Sequence, residues 1–412
     1  MVDKGWADDS LPSLLSNYAH QLSAIPTKAK TSPQTSPRDL IRFTVGNVDP
    51  DTLPTKELTR AAEYVLSQGQ DVTLNYGPAQ GNVELRDLIA QRQTEEQHVT
   101  LSAEDISLTS GTTQSLHNIC QTFLNPGDVV VAEVPAWRGF FRASQASGAE
   151  VVSLPLDQHG PSIDILARNI KELLTQGKHP KLLYTIPTYR NPTGTTMSPE
   201  RREALLELAA RHRILIIEDD AYSALYFDSA PPPSLFSLSG GEGVLRLGTF
   251  SKTIATGLRV GWIEGKREYI RATVAMRLDN GTSPFVSRMI SEFLKNGSFD
   301  VHVKRARAVY KAKWDTLRQV LSISGVNTIA SSYPEGGFFT WLTFPEGLQA
   351  KDILQHAEEE GVAAAPGTSS YYEDRYKEEG EHSIRLCFSN VPLASVEEGA
   401  HRLLRAIDRT KK

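Results

Sequence analysis

One lysine follows a predicted strand in a setting where its amine could act as a nucleophile. Lys252 comes after Thr249-Phe250-Ser251, and Arg259 follows seven residues later. An amine of ordinary pKa, about 10.4, is a poor nucleophile until burial or neighbouring cations lower that pKa. Arg259 and a bound phosphate would provide such surroundings, so the segment predicts a reactive lysine beside an anion site. The alternative is a lysine that is merely exposed to solvent.

A second segment has the residue types of an anion-binding turn. Thr109-Ser110-Gly111-Thr112-Thr113-Gln114 lies between a predicted strand at 106–108 and a predicted helix at 113–124. The first N–H groups of a helix are free to bind an anion, and glycine permits close approach of the backbone. The pattern therefore predicts a phosphate site, although hydroxyl residues also form ordinary helix caps.

Polar residues also follow two buried strands in the middle of the chain. Asn191-Pro192-Thr193-Gly194 comes after a strand at 182–186, and Glu218-Asp219-Asp220-Ala221-Tyr222 comes after a strand at 214–217. Ligands of open α/β sheets bind at the carboxyl ends of strands, so both segments are candidates for a binding site. A plain tight turn and a solvated helix start are the alternatives. No metal site is predicted, because no histidine accompanies the carboxylates.

These segments are positioned by an alternation of strands and helices that begins near residue 84. Short apolar runs bounded by turn residues predict strands at 106–108, 129–131, 182–186, 214–217 and 244–247. Helical patterns lie between them, and Ser198-Pro199-Glu200 is a strong helix start. Strands separated by helices predict an α/β fold, in which a mostly parallel sheet is sandwiched by helices.

The pattern changes after about residue 300. A long charged helix is predicted at 301–321, and a strand at 383–388 follows further helices. We therefore expect residues 1–54 to form an N-terminal arm and part of a small domain. Residues 55–300 are expected to form a large domain, and residues 301–412 a smaller α+β domain. Within the arm, a helix is predicted at 11–22 and an irregular segment at 26–38.

The composition is that of an ordinary globular chain. The 412 residues are 40% hydrophobic and 23% charged, with a net charge of −5. No basic surplus points to a nucleic-acid partner, and no stretch approaches the roughly 18 apolar residues of a membrane helix. Cys120 and Cys387 stand alone, so neither a zinc site nor a disulfide framework is expected. Without a signal peptide pattern, a reducing cytoplasmic location is predicted.

Taken together, these segments resemble the fold-type I pyridoxal-phosphate enzymes of the class I/II aminotransferase family. The resemblance covers roughly residues 40–405, and its motifs occur in family order. They are Asn75-Tyr76-Gly77 with Gly81 and Leu85-Arg86, Ser110-Gly111-Thr112, Asn191-Pro192-Thr193-Gly194, Asp219 with Tyr222, Ser251-Lys252 with Arg259, and Arg385. The segments at 217–220 and 249–252 are most similar to the subgroup that acts on 2-aminoadipate, kynurenine and aromatic amino acids. The resemblance implies the aspartate-aminotransferase-like fold.

The resemblance also implies which residues carry the chemistry. Lys252 would hold pyridoxal 5′-phosphate as a Schiff base and later move a proton between the substrate α-carbon and the cofactor. Asp219 would pair with the protonated ring nitrogen, because a buried positive nitrogen needs an anionic partner. Tyr222 and Asn191 would form hydrogen bonds with the 3-oxygen of the ring.

Five residues with hydroxyl or guanidinium groups would hold the cofactor phosphate. They are Thr112, Thr113, Thr249, Ser251 and Arg259. Trp137 would stack on the cofactor ring, at a position where tyrosine or phenylalanine is more usual in this subgroup. A core aromatic residue is the alternative for Trp137.

The same resemblance implies how substrate and subunits bind. Arg385 would hold the substrate α-carboxylate in its two-pronged guanidinium group, with Asn191 and Gly46 beside it. Tyr76 would reach the phosphate of a neighbouring subunit. A homodimer with shared active sites is therefore the expected assembly.

Transamination is the expected reaction, from an aromatic or 2-aminoadipate-like L-amino acid to a 2-oxo acid such as 2-oxoglutarate. A pyridoxal-phosphate-dependent lyase, decarboxylase or oxidase is the alternative, because the same fold supports these reactions. Some transcriptional regulators carry the fold too, but we expect no DNA-binding module because only about 40 residues precede it. Next to the Asn191 turn, we expect Arg190 to face solvent rather than to narrow the substrate entrance.

Overall fold

The computed structural model describes residues 15, 16, 18, 19, 40–68, 70–323 and 330–411. The chain divides into two compact units, Met1–Leu40 and Ile41–Lys412. Most of the predicted arm lies outside the described residues, including the irregular segment at 26–38 and the predicted helix at 11–22 except for residues 15, 16, 18 and 19. Both sheets found in the described residues belong to the second unit.

Strands and helices alternate along the second unit. The strands are β1 (Ile41–Phe43), β2 (Ile106–Thr109), β3 (Val129–Val134), β4 (Glu150–Asp157), β5 (Gly160–Pro161), β6 (Pro180–Thr185), β7 (Leu215–Asp219), β8 (Val244–Thr249), β9 (Gly261–Glu264), β10 (Ala330–Ser331), β11 (Phe339–Thr343), β12 (Val362–Pro366) and β13 (Ser383–Cys387). The α-helices are α1 (Thr55–Ser67), α2 (Gln70–Leu74), α3 (Val83–Gln97), α4 (Thr112–Phe123), α5 (Arg138–Ala146), α6 (Ile163–Thr175), α7 (Pro199–Arg211), α8 (Leu235–Leu238), α9 (Arg267–Ala275), α10 (Pro284–Lys295), α11 (Ser298–Ile323), α12 (Ala350–Glu359), α13 (Asp374–Glu381) and α14 (Leu393–Thr410). Among these described helices, none is both long and apolar enough to span a membrane.

The larger sheet has eight strands in the order β2-β9-β8-β7-β6-β3-β4-β5. Its central strands β8, β7, β6, β3 and β4 run parallel to one another. The strand β9 pairs antiparallel with β2 and β8, and the short β5 pairs antiparallel with β4. The prediction of a mostly parallel sheet sandwiched by helices is confirmed, whereas β9 was not recognised in the sequence.

Helices cover both faces of this sheet, which explains why its strands are apolar at successive positions. Along β3, Val130 packs in a cluster with Phe140 of α5, whereas Val131 packs in another cluster with Leu205 of α7. Successive side chains of a strand point to opposite faces, so a strand covered on both faces has no polar side. Full burial of each such side chain stabilises the fold by about 1.5–3 kcal/mol. The helices thereby fix the strand ends that carry the polar segments.

The smaller sheet has five strands in the order β1-β12-β13-β11-β10. Its pairs are antiparallel except for β1 with β12. Its apolar core includes Phe338, Leu317 of α11, Ile353 of α12 and Leu403 of α14. Since β1 and β13 lie at opposite ends of the chain, this sheet forms only when both ends fold together.

Candidate active site

The predicted polar segments meet where three neighbouring strands end. The turn with Asn191 follows β6, Asp219 ends β7, and Thr249 ends β8 three residues before Lys252. These strands are adjacent and parallel, so their carboxyl ends lie at one edge of the sheet. Arg385 of the smaller sheet reaches the same place, where its Nη1 donates a 3.0 Å hydrogen bond to Oδ1 of Asn191. The fold therefore assembles this site from both sheets.

The amine of Lys252 is held inside the site. Its Nζ donates a 2.7 Å hydrogen bond to the carbonyl oxygen of Gly46. Removal from water lowers the pKa of Lys252 below its ordinary value, and the charges of Arg259 and Arg385 lower it further, whereas Asp219 raises it. An amine with a lowered pKa is more often unprotonated near neutral pH, so it can act as a nucleophile or a base.

The carboxylate of Asp219 is buried, and only one of its two oxygens has a hydrogen-bond partner among the described residues. Its Oδ2 accepts a 2.8 Å hydrogen bond from the Tyr184 hydroxyl group, while its Oδ1 has no hydrogen-bond partner among the described residues. Burial raises the pKa of Asp219 to about 7, and the hydrogen bond from Tyr184 acts in the opposite direction. A buried carboxylate oxygen without a donor is costly. A protonated pyridine nitrogen would supply both the donor and the positive charge, so this residue fits pyridoxal phosphate.

The pKa of the neighbouring acid, Asp220, is shifted in the opposite direction. Although burial alone would raise the pKa of Asp220, the charge of Arg246 and hydrogen bonds from Ser223 hold it below its ordinary value. Arg246 contacts Oδ2 of Asp220 and Oε1 of Glu264, each at 2.5 Å. Asp220 is therefore a paired structural charge, and Asp219 is the acid left available at the end of β7.

Asn191 lies between Tyr222 and Arg385. Burial raises the pKa of Tyr222 above its ordinary value, while the charge of Arg385 and hydrogen bonding by Asn191 lower it. Arg385 also donates a 2.7 Å hydrogen bond to the Thr44 carbonyl oxygen, and its Nε has no partner among the described residues. A guanidinium group with an unpaired N–H suits a small anionic group such as a carboxylate.

The start of α4 and Arg259 form the predicted anion cup. Gly111 precedes the helix with a φ of +85° and has no side chain to cap the N–H groups of Thr112 and Thr113. A Cβ atom at Gly111 would lie 2.5 Å from Nη2 of Arg259, so the glycine lets the guanidinium group lie against the backbone, and its positive φ also favours glycine. Arg259 in turn donates a 3.0 Å hydrogen bond to the Ser110 carbonyl oxygen. The cation and the helix N-terminus are thus adjacent, as a phosphate requires.

The two hydroxyl residues after β8 differ in their contacts. The Ser251 hydroxyl group accepts a 3.1 Å hydrogen bond from Nη1 of Arg259, so it lies beside the cup. The Thr249 hydroxyl group donates to the Val260 carbonyl oxygen at 3.2 Å and accepts from the Ser251 N–H at 3.1 Å. Since the Thr249 hydroxyl group already has both partners, its role at a phosphate stays a prediction.

For two predicted cofactor residues, Trp137 and Tyr76, the observed contacts and exposure do not test the predicted role. The indole of Trp137 covers Gly139, where a Cβ atom would lie 2.2 Å from Cη2 of the ring. The same indole packs on the apolar cluster that contains Tyr184 and Phe140. Tyr76 is 91% exposed in the single chain. The stacking role of Trp137 and the phosphate role of Tyr76 stay predictions.

The prediction that Arg190 faces solvent is wrong. Arg190 is fully buried, and its Nε donates a 2.8 Å hydrogen bond to Oε1 of Glu133. Glu133 also accepts hydrogen bonds from the Ile186 N–H at 2.7 Å and the Thr185 hydroxyl group at 2.6 Å. The pair anchors the turn that carries Asn191, because an unpaired buried charge costs several kcal/mol. The sequence offered one indication of this ion pair, namely Glu133, an acidic residue inside the otherwise apolar strand β3.

Known proteins with similar sequences support the assignment. The sequence profile of the family described as aminotransferase class I and II matches residues 38–403. The aromatic-amino-acid aminotransferase 1 of Thermococcus litoralis is 33% identical over 376 residues, which cover 91% of this chain and 89% of that protein. The family match at residues 38–403 includes both sheets and every strand end described above.

Two solved structures are similar over nearly the same span. The kynurenine aminotransferase of Pyrococcus horikoshii, solved in complex with PMP, has a TM-score of 0.85 and 30% identity, covering 99% of this chain and 98% of that one. The α-aminoadipate aminotransferase of Thermus thermophilus, complexed with N-(5′-phosphopyridoxyl)-L-leucine, has a TM-score of 0.82 and 31% identity, covering 91% and 93%. This chain belongs to the class I and II aminotransferase family, and it is a pyridoxal-phosphate-dependent aminotransferase.

Proposed function

We propose that this aminotransferase takes the amino group of an aromatic L-amino acid and passes it to a 2-oxo acid such as 2-oxoglutarate. The observation that carries the proposal is the aromatic surface beside Arg385. The guanidinium carbon lies 4.9 Å from the centre of the Phe339 ring, and Arg385 pairs across the sheet with Trp341. Directly paired residues of neighbouring strands point to the same face, so the cation and both rings share one surface.

The surface continues into the large sheet. Trp341 packs in the same apolar cluster as Tyr371, Phe140 and the indole of Trp137. Phe140 is fully buried in this cluster, whereas the indole of Trp137 is only partly buried and is the ring that the side chain of an amino acid bound at Arg385 would contact. Aromatic pairs contribute about 0.5–1.5 kcal/mol beyond their buried area, which favours aromatic donors over aliphatic ones. Relatives named for aromatic amino acids and for kynurenine are consistent with this choice.

Within this proposal, each side chain has one task toward substrate. Pyridoxal phosphate, when bound, supplies an aldehyde that carries the amino group and a ring that draws electrons from the substrate α-carbon. Arg385 and Asn191 bind the α-carboxylate and orient the α-carbon. The Lys252 amine takes the proton from that carbon as a general base, a role that its lowered pKa favours.

The other tasks concern holding the cofactor in place. Asp219 would accept a hydrogen bond from the ring nitrogen, and Tyr222 would donate one to the 3-oxygen of the ring. The N–H groups and side chains at the start of α4 and the guanidinium group of Arg259 would hold the phosphate. Charged and hydroxyl groups supply this binding without taking part in proton transfer.

We propose a homodimer as the active assembly. Tyr76 lies in the loop after α2, next to the exposed apolar residues Val72 and Leu74 of that helix. Exposed apolar patches of this kind are covered by protein partners more often than left in water. A second subunit would cover the patch and place Tyr76 near the neighbouring phosphate.

The division into a large domain at 55–300 and a small domain at 301–412 is likewise proposed, and the two separate sheets support it. A cytoplasmic location is proposed as well. It is supported by Cys120 and Cys387, which are both buried free thiols. Fractionation of cells that express the chain with a C-terminal tag would test the location.

A donor screen on the purified holoenzyme tests the substrate. We expect kcat/KM for phenylalanine, tyrosine or tryptophan, with 2-oxoglutarate as acceptor, to exceed that for alanine by at least about 10-fold. A higher value for 2-aminoadipate or an aliphatic donor would overturn the aromatic proposal. Omitting the 2-oxo acid should limit release of product to about one equivalent per site, whereas a lyase would continue to turn over.

A further inference from the structure

Tyr184 is a fully buried residue of β6 that directly contacts Asp219. Its ring stacks on Phe140 with centroids 4.3 Å apart and planes inclined by 3°, which fixes the direction of the phenol. Tyr184 pairs with Ile217 of β7, two residues before Asp219. Residues two apart on a strand share a face, so the hydroxyl group reaches diagonally to the carboxylate. The resulting hydrogen bond to Oδ2 is 2.8 Å long.

The two oxygens of Asp219 are therefore not equivalent. Oδ2 has a donor, and Oδ1 is buried without a hydrogen-bond partner among the described residues. A carboxylate can rotate about its last bond unless one oxygen is fixed. The Tyr184 hydroxyl group fixes Oδ2, so that a single oxygen is presented to a further donor.

We propose that Tyr184 is a positioning residue for the cofactor, because its hydroxyl group fixes the Asp219 carboxylate and keeps Oδ1 free for the ring N–H. The inference rests on the proposed role of Asp219 as the partner of that nitrogen. It adds a residue from the neighbouring strand that acts on the cofactor only through Asp219.

The charges around Asp219 explain why such a donor matters. Burial raises the pKa of Asp219 to about 7, and the negative charges of Asp220 and Glu133 raise it as well. The hydrogen bond from Tyr184 and the charge of Lys252 act in the opposite direction. Loss of the Tyr184 hydroxyl group removes this hydrogen bond and raises the pKa of Asp219 further. A larger fraction of the protein molecules then has a neutral Asp219, which offers no negative charge to the ring nitrogen.

Tyr184→Phe in the full-length protein, freed of cofactor, tests the inference. Pyridoxine 5′-phosphate labelled with ¹⁵N in its ring lacks the aldehyde, so its binding reports ring and phosphate contacts without a bond to Lys252. We expect the dissociation constant at pH 7.5 to rise about 10-fold, in the range for a hydrogen bond to a charged group. The ¹⁵N resonance of the bound ring should shift toward that of the unprotonated nitrogen.

Tyr372→Phe is the matched control, because Tyr372 also stacks on a phenylalanine, Phe141, and its hydroxyl group accepts a hydrogen bond from Gln145. It should leave both readings unchanged. Asp219→Asn should weaken binding of the analogue, and adding Tyr184→Phe to it should have no further effect. Equal circular dichroism spectra of all variants exclude a general folding defect.

The outcomes separate this inference from the proposals on which it stands. If Tyr184→Phe binds the analogue as the wild type does, with the same ¹⁵N resonance, the role of Tyr184 is overturned. If Asp219→Asn alone has no effect, the roles of Asp219 and Tyr184 both fall. The choice of amino donor affects neither reading, so a failed donor screen leaves this result standing.

Discussion

The Nζ atom of Lys252 donates a 2.7 Å hydrogen bond to the carbonyl oxygen of Gly46, a residue 206 positions earlier in the chain. A Cβ atom at Gly46 would lie 3.3 Å from Cζ of Phe339 and 3.9 Å from that Nζ, so a larger residue would press on the Phe339 ring beside the amine. Three residues further on, Asp49 forms a buried ion pair with Lys313 of α11. The segment that holds the amine is thus anchored to the helical layer of the smaller sheet.

Lys252→Ala should abolish covalent attachment of the cofactor. Borohydride treatment of the wild type followed by peptide mass mapping is expected to find the adduct on Lys252, and the variant should yield none. Transamination should fall by at least about 10²-fold, because the general base is lost. Lys266→Ala, at a lysine whose side chain is 37% exposed, is the control and should behave as the wild type. An adduct elsewhere in the variant would contradict the assignment.

Arg385→Lys should impair substrate binding while leaving the cofactor in place. Lysine keeps the positive charge but cannot form two parallel hydrogen bonds to a carboxylate. We expect KM for the amino donor to rise and kcat/KM to fall about 10²-fold, the equivalent of roughly two charge-assisted hydrogen bonds. The absorbance spectrum of the bound cofactor should not change. An unaltered KM would show that the α-carboxylate binds elsewhere.

The raised pKa of Asp219 should make the cofactor-free protein less stable as pH rises. The folded pKa is about 7 and the unfolded value is 3.8, so between these values the folded state binds the extra proton. Its contribution is lost progressively as pH increases from about 4 to 7, by at most about 4 kcal/mol. Asp219→Asn removes this dependence. In urea unfolding, the free energy of unfolding of the variant should therefore increase relative to that of the wild type as pH rises through this range. An equal pH dependence of the two proteins would refute the raised pKa.

Arg190→Ala should destabilise the protein strongly, although Arg190 contacts no substrate in our proposal. Its removal leaves Glu133 buried beside the Asn191 turn without its ion-pair partner. The expected loss is about 3–5 kcal/mol in the free energy of unfolding, measured by urea denaturation. Lys178→Ala, which breaks the exposed pair with Glu150, is the control and should cost less than about 1 kcal/mol. Similar losses of unfolding free energy in the two variants would mean that the buried ion pair contributes no more to stability than the exposed one.

Mixing two impaired variants tests whether active sites are shared between subunits. Tyr76→Ala lacks the tyrosine offered to the neighbour, and Lys252→Ala lacks the catalytic amine. A hybrid dimer has one site with both residues intact, so random mixing should restore about a quarter of the wild-type activity. Analytical ultracentrifugation should find a dimer. No gain on mixing, after subunit exchange has been verified with tagged chains, would contradict a shared site.

Much of the fold and of the chemistry could be predicted because the signals are local. The apolar runs of β3, β6, β7 and β8 and the helix start at Ser198 depend on near neighbours in sequence. The α/β fold, the pyridoxal cofactor and transamination are confirmed, whereas the individual site roles stay predictions. The antiparallel β9 was missed because its pairing with β2 and β8 depends on residues far away.

The sequence by itself determined the candidate lysine, the motifs at the strand ends and the family, since each is a matter of residue type and short spacing. Only the tertiary structure decided which of the three acids at 218–220 keeps an oxygen without a hydrogen-bond partner among the described residues. Arg246 neutralises Asp220 and backbone N–H groups at the start of α8 bind Glu218, whereas Asp219 receives a single hydrogen bond from Tyr184. Burial and long-range partners set the charge of a carboxyl group, and neither can be read from the residues beside it in the chain.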